Sequence, residues 1–500
     1  MKKVLGRIVI VLPAVALQVG WYLLMVGLLD NLFHGYLWNV LNALLSVLAV
    51  VFVTGLMAKR DESAYKLLWV TVIVAMPILG ALLYFLLGNK NTGRWLKNKL
   101  ERARAELPKL PDPGESIEKE DVRLGQTLAH ISKVTGFPLM KNESAKYYPF
   151  GEDMLPDMCR DLEQAESYIY VEYFIIQSGK FWDTLAEIMA RKAAQGVDVR
   201  VMYDDLGSIG TYSVADVVKL TQKGIKCIPF NPFLFIKSQL NNRDHRKIMV
   251  IDGKVAYSGG INLADEYINE KHLYGRWKDI GFRITGPAVQ SYSYMFSEFW
   301  NAFSKEKVQL EVSPAQDRGE GYILPYYDSP VADEHISNEL LVEVLSTATD
   351  YAWFYTPYLM LGDALFDAFI RAARRGVDVR IIMPGIPDKK LVYRLSRSYY
   401  PDLLKAGVKI YEYTPGFVHA KAFLCDDKLG GIGTVNLDYR SLFLHFECTA
   451  IFYKAPILTE LKQDFVSTQE ECEERTLENL KRGLLHRFGD NLLRVIAPLL

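Results

Sequence analysis

The stretch HRKIMVIDGKVAYSGGIN at 245–262 is answered by HAKAFLCDDKLGGIGTVN at 419–436. Both fit H-x-K-x4-D-x6-G-x-x-N. Five fixed positions, each met by chance about one time in twenty, give a random hit on the order of once per 10⁶ starts. Taken singly, a buried His is usually structural and a strand Lys usually faces solvent. Those readings fail jointly here, because both residues recur at the same spacing. On a strand, residues i and i+2 share a face. His245 and Lys247 therefore point one way, as do His419 and Lys421. The residues between are apolar (Ile248, Val250; Ala422, Leu424), as a central strand requires. Asp252-Gly253 predicts a turn, after which the next strand returns Asn262 towards the His–Lys end. Asn436 returns in the same manner.

Outward from these motifs, the chain reads as one unit repeated. YIYVEYFII (168–176) is strand-like, 182–195 is helical, and GVDVRVMYDD (196–205) follows. In the second copy YAWFYTPYL (351–359) precedes a helical stretch at 364–375 and GVDVRIIM (376–383). GVDVR thus recurs 180 residues apart, with Gly ending a helix and the rest entering a sheet. KGIKCIPF (223–230) and AGVKIYEY (406–413) are each a turn into a further strand. Apolar strands alternating with amphipathic helices predict an α/β sheet with helices on its faces. If the copies face each other, two Lys and two Asn meet in one cavity suited to a phosphate and its developing charge. Two imidazoles suit the axial work, one as nucleophile and one as general acid and base. No Asp/Glu/His cluster with ligand spacing is visible, so neither a metal nor another cofactor is called for. His34, His130, His272, His335, His445 and His486 have no repeat partner and receive no role.

The first 110 residues differ in kind. Runs 8–29, 37–57 and 67–87 contain no Asp, Glu, Lys or Arg. Each has about the length that crosses a ~30 Å hydrocarbon core as a helix. A cleaved leader fits poorly, because the first run is long and two more follow. Residues 1–110 hold 13 Lys plus Arg against 5 Asp plus Glu, while the other 390 hold 45 against 54. The basic cluster Lys90, Arg94, Lys97, Lys99, Arg102 and Arg104 is expected to face an anionic cytoplasmic leaflet. With three spans, six basic residues balance six on the opposite side. With one run re-entrant, all twelve share one side; run three is a candidate, since Pro77 and Gly80 interrupt it. A cytoplasmic catalytic region is expected. ELPKLPDPGES (106–116) reads as a linker. The expected domains are an anchor at 1–110, a first half at 111–315 and a second half at 316–500.

These residues resemble the phospholipase D superfamily, whose signature is the duplicated H-x-K-x4-D pattern. YKLLWVTVIVAMPILGALLYFLLGNK (65–90) is similar to the membrane segment of bacterial cardiolipin synthases. NNRDHRKIMVIDGKVAYSGGINLADEY (241–267), WFYTPYL (353–359) and GTVNLDYRSLFLHFE (433–447) resemble their catalytic parts. The first run departs from members with two N-terminal membrane segments. The resemblance implies two pseudo-symmetric α/β halves sharing one site behind N-terminal transmembrane helices. It implies a multi-pass enzyme of the cell membrane acting on phosphatidylglycerol and other membrane phospholipids. One phosphatidylglycerol loses glycerol and leaves its phosphatidyl group on a histidine; a second takes that group, giving cardiolipin. By position, His245 or His419 is the nucleophile and the other the acid/base. Lys247, Lys421, Asn262 and Asn436 bind phosphate, and Asp252 and Asp426 support the site. Glu447 matches an acidic residue that holds the opposite histidine. The first copy has Leu273 at that offset, and Asp279 in WKDIGF is offered in its place. Gly260 and Thr434 stand where the superfamily often has Ser.

Other readings are a phospholipase D hydrolase, a phosphatidyltransferase with another alcohol acceptor, a nuclease and a non-catalytic scaffold. A nuclease fits poorly with a net-acidic catalytic region, and a scaffold predicts decay of one motif. Cys159, Cys227, Cys425, Cys448 and Cys472 form no C-x-x-C pair, which excludes a zinc cluster and a disulfide framework. Phe230, Phe233, Leu234, Phe235 and Ile236, with Pro229 and Pro232, read either as buried core or as a loop entering the bilayer edge. NLLRVIAPLL (491–500) reads either as a membrane-touching end or as a packing helix.

Overall fold

The computed structural model describes residues 36–59, 62–76, 80–81, 83–84, 93–141, 144–232, 241–312, 319–480 and 484–499. It divides into two compact units, Met1–Thr92 with Val495–Leu499, and Gly93–Arg494 with Leu500. The boundary expected at 110 therefore falls at 92/93. The reason lies in the helix Arg94–Glu106. Its Leu96, Leu100 and Ala103 are buried, Lys99 lies 4.2 Å from the Phe303 ring centroid, and Arg104 pairs with Glu298 at 3.7 Å.

In the N-terminal unit the helix Tyr36–Met57 covers the second apolar run, and Ser63–Ala75 begins before the third and runs into it. Leu56, Tyr65, Trp69, Ile73 and Tyr84 form a small core, with Trp69 and Tyr84 edge to face at 5.3 Å. A Cβ on Gly80 would stand 2.5 Å from the Val72 carbonyl oxygen, so only glycine fits there. Leu44, Val47, Leu48, Val50, Val51, Leu67 and Val74 are exposed. Among the described residues, no helix is long and apolar enough to cross a membrane. The predicted run 8–29 and the side chains of Phe233, Leu234, Phe235 and Ile236 lie outside the described residues. Phe230 is fully buried against Phe299, Phe303 and Phe446, which decides its case for the core.

Among the described residues, the second unit holds two large sheets that share one order of seven strands. In the first, the order across is Ser144–Tyr148, Gly281–Thr285, Val255–Gly259, Lys247–Ile251, Tyr168–Tyr173, Asp198–Asp204 and Lys226–Phe230. In the second it is Tyr322–Asp328, His445–Tyr453, Leu429–Gly433, Ala422–Cys425, Tyr351–Tyr355, Asp378–Pro384 and Lys409–Tyr413. Each has three parallel strands continued by antiparallel ones. The helices Lys180–Ala194 and Asp363–Arg374 lie where their periodicity predicts. Gly196 and Gly376, at φ +93° and +94°, end those turns before the recurring VDVR enters its strand.

Two features cross the expected half boundaries. The second sheet is extended by Met140–Lys141, which pairs with Tyr322–Asp328. The helix Val122–Thr135 joins the second half through Arg123–Glu343 and His130–Glu334 ion pairs. Residues 122–141 thus join the sheet and helices of the half that starts almost 200 residues later, while Phe137 also meets Tyr294 of the first half edge to face at 5.8 Å. In the C-terminal helix Leu484–Ile496, Asp490 pairs with Arg394 and Arg494 with Asp402, which ties that stretch to the second half.

Candidate active site

Each motif strand is buried on both faces, from Lys247 to Ile251 and from Ala422 to Cys425. Its histidine sits just before the strand, where the chain leaves one sheet and pairs with the other half. Arg243 and Asp244 run parallel to His445 and Phe446 of the second sheet, and His245 N–H donates to the Phe446 carbonyl at 2.9 Å. In mirror fashion Gly416–Val418 runs parallel to Arg276–Lys278 of the first half, and His419 N–H donates to the Lys278 carbonyl at 2.7 Å.

The same crossed pairing supplies the carboxylates. His245 Nδ1 lies 2.9 Å from Glu447 Oε2, and His419 Nδ1 lies 2.6 Å from Asp279 Oδ2. Each half therefore holds the other's histidine. A carboxylate only accepts, so it fixes Nδ1 as the protonated nitrogen and leaves Nε2 with its lone pair. Asp279 fills the place offered for it in the first copy. Leu273 is exposed and does not. Gly260 and Thr434 prove specific. A Cβ at Gly260 would stand 2.1 Å from Asp279 Oδ1, so the first half leaves that room to the carboxylate. Thr434 instead donates its hydroxyl to Glu447 and accepts from Cys448 N–H at 2.9 Å.

Lys247 and Lys421 are buried in the same cluster, and each donates to the backbone carbonyl of its own histidine. Lys421 Nζ also lies 2.7 Å from His419 Nδ1. Burial pushes the ammonium of Lys247 down to about 8 and that of Lys421 to about 7, with each carboxylate opposing. Burial, then the Lys421 charge, pushes the His419 imidazole down to about 4. Burial, then Lys247 and Lys421, holds His245 well below its ordinary value, and burial pushes the Glu447 carboxyl up. The charge of Lys421 acts on His245 and that of Lys247 on His419, so the four groups share one field. Two buried cations with few counter-charges favour an anion.

The asparagines differ. Asn262 Oδ1 accepts from Ile175 N–H at 3.1 Å, and its Nδ2 donates to the Tyr267 hydroxyl at 2.8 Å. Tyr267 in turn lies edge-on to His419 at 5.3 Å. Asn436 donates to Asp438, and its Oδ1 has no partner among the described residues.

Asp252 and Asp426 are not part of the site. They stand at the far end of their strands, at φ +53° and +51°. Asp252 accepts from the N–H groups of Glu166, Ser167 and Tyr168, each at 2.8 Å. Asp426 accepts from those of Thr349, Asp350 and Tyr351 and from the Thr349 hydroxyl. Both tie the entry of the neighbouring strand to the turn. His445 was given no role, yet its ring lies 6.5 Å from that of His245. It precedes Glu447 by two, so strand alternation alone puts it on the same face. Among the described residues, His130, Glu334 and Glu339 bring possible metal-ligating atoms within 4.8 Å of one another, away from the paired histidines and largely exposed.

A family model described as "Cardiolipin synthase, PLD-like domain" matches residues 158–300 and 341–468, and one described as "Phospholipase_D-nuclease N-terminal" matches 44–89. A Streptococcus mutans protein described as uncharacterized is 40% identical over 86% of this chain and 96% of its own. Cardiolipin synthases of Geobacillus thermodenitrificans and Alkalihalophilus pseudofirmus are 32% and 31% identical, over 97% and 93% of this chain and 99% and 96% of their own. Among solved structures, phosphatidylserine synthase of Haemophilus influenzae aligns with a TM-score of 0.58 at 14% identity, over 75% of this chain and 98% of that one. That likeness is one of fold.

Proposed function

The chain belongs to the cardiolipin synthase family of phospholipase D-like enzymes, and from that premise we propose that it joins two phosphatidylglycerol molecules into cardiolipin and glycerol through a phosphatidyl-histidine intermediate. It is an enzyme of phosphatidyl transfer between phospholipids. One histidine, His245 or His419, attacks phosphorus through Nε2; a P–N bond forms and the bond from phosphorus to the glycerol oxygen breaks. The other histidine, protonated at Nε2 once the anionic phosphate of the substrate stands beside it, gives that proton to the oxygen, and glycerol leaves. A hydroxyl of the second phosphatidylglycerol then loses its proton to the same histidine and attacks phosphorus, and the P–N bond breaks. Both imidazoles end as they began. Glu447 and Asp279 orient the rings, while Lys247 and Lys421 meet the equatorial phosphate oxygens.

The observation that carries this reading is the crossed pairing of His245 with Glu447 and His419 with Asp279 around two buried lysines. In it, residues 111–315 and 316–500 act as two half-sites, apart from the swapped 122–141. The exposed Leu and Val side chains of 44–51 and 67–74 support an N-terminal unit that sits in the bilayer, where its substrate resides. Purified full-length chain with labelled phosphatidylglycerol should yield cardiolipin and glycerol in equal amounts. Phosphatidic acid without cardiolipin would make it a hydrolase instead.

A further inference from the structure

The two asparagines occupy matching positions but have different tasks. Asn262 has both ends of its amide engaged within its own half. Asn436 is 6 % exposed, and its Oδ1 is a buried acceptor with no partner among the described residues. The orientation of that amide follows from its neighbour. Asp438 accepts from Ser441 N–H at 2.9 Å and from Asn436. A carboxylate accepts only, so Nδ2 must face Asp438 and Oδ1 must face away. Thr434, two residues before Asn436, donates its hydroxyl to Glu447, the partner of His245, which puts this amide at the catalytic cluster.

An orphaned acceptor cannot pair with a phosphodiester, which carries no proton. The diacylglycerol part of phosphatidylglycerol also has no donor. The only hydrogen-bond donors in that lipid are the two free hydroxyls of its headgroup. An ammonium headgroup would bring a third cation beside Lys247 and Lys421, which the local field disfavours. We propose that Asn436 Oδ1 accepts a hydrogen bond from a free headgroup hydroxyl and so selects hydroxylated phospholipids as phosphatidyl donors. This rests on the phosphatidyl-transfer reading above. The leaving headgroup and the entering one both face the same acid/base histidine, so one acceptor serves both steps. A donor lipid without the hydroxyl leaves Oδ1 unpaired, and that penalty is spent on selectivity.

The test supplies two donor lipids, labelled phosphatidylglycerol or labelled phosphatidylpropanol, each with excess unlabelled phosphatidylglycerol as acceptor. Labelled cardiolipin is the readout in both. The wild-type enzyme should use the hydroxylated donor about 10- to 100-fold better in kcat/KM. Asn436→Ala should bring that ratio close to one, with the loss falling on phosphatidylglycerol. Equal use of the two donors by the wild-type enzyme would overturn the assignment without any variant. An equal fall for both donors in Asn436→Ala would also overturn it, since that marks a phosphate-holding or structural role. A wild-type enzyme that makes no cardiolipin from either donor would instead sink the transfer reading itself.

Discussion

At the scale of single residues, the site depends on what each carboxylate is asked to do. Asp279 and Glu447 fix the tautomer and orientation of a histidine supplied by the other half. Asp279→Asn or Glu447→Gln keeps the shape but offers an amide that can donate, so Nε2 loses its place as the lone-pair nitrogen. Each should lower kcat by roughly 10²- to 10⁴-fold with a small change in KM; steady-state kinetics on phosphatidylglycerol checks this, and near-normal kcat in both would refute the orienting role. Asp252→Ala should behave in the opposite way. Three backbone N–H groups lose their acceptor, so stability should fall by about 2 kcal/mol while kcat per folded molecule is kept. A folded but inactive Asp252→Ala would return that residue to the site. The spacing H-x-K-x4-D shows that the aspartate recurs but not where it goes. A strand rises about 3.3 Å per residue, so seven residues carry it roughly 20 Å from its histidine. The pH profile of kcat/KM follows from the same buried groups. His419, pushed down to about 4, is neutral above that pH and loses its lone pair below it. Lys421 and Lys247, pushed down to about 7 and about 8, hold their charge below those values and lose it as pH rises. The plateau should lie between about 4 and 7; an alkaline limb only near the ordinary lysine value would contradict this burial effect.

At the scale of elements, two short parallel pairings deliver the histidines: 243–244 with 445–446, and 416–418 with 276–278. They are tight. A Cβ on Gly416 would meet the Arg276 carbonyl oxygen at 2.1 Å. Gly416→Ala should therefore push 416–418 off its partner and shift His419, three residues on. The expected loss in kcat is on the order of 10²-fold, the effect of misplacing a reacting group by about 1 Å. Wild-type kcat in a folded Gly416→Ala would show that this pairing does not position the histidine. Most elements were readable, because VDVR after a glycine marks a helix end and a strand start wherever it occurs. The crossed pairings were not readable, since strands of two or three residues carry no periodicity. Nor was the placement of Val122–Thr135 on the second half, because an amphipathic helix declares that one face is buried but not against which sheet.

At the scale of the whole molecule, the duplicated chain makes one site from two incomplete ones. Neither half alone pairs its histidine with a carboxylate, so the repeat that betrays the fold also makes the two halves interdependent. That much of the site was legible in the sequence, because His, Lys and Asn recur in register and WKDIGF offers a carboxylate near the right offset. The chemical asymmetry was not, because it rests on partners such as Tyr267, Thr434 and Asp438 that have no counterpart at the matching position. The central claim is that a phosphatidyl group passes through a histidine, and trapping it is the most direct test. Full-length enzyme is mixed with acyl-labelled phosphatidylglycerol, stopped with alkali within one turnover, digested and mapped by mass spectrometry. The account predicts a lipid phosphoryl group on His245 or His419, absent from the corresponding His→Ala variant and released as cardiolipin when unlabelled phosphatidylglycerol is added before the stop. Cardiolipin formed with no covalent lipid at any stage, or with the label on a side chain other than these two histidines, would contradict it.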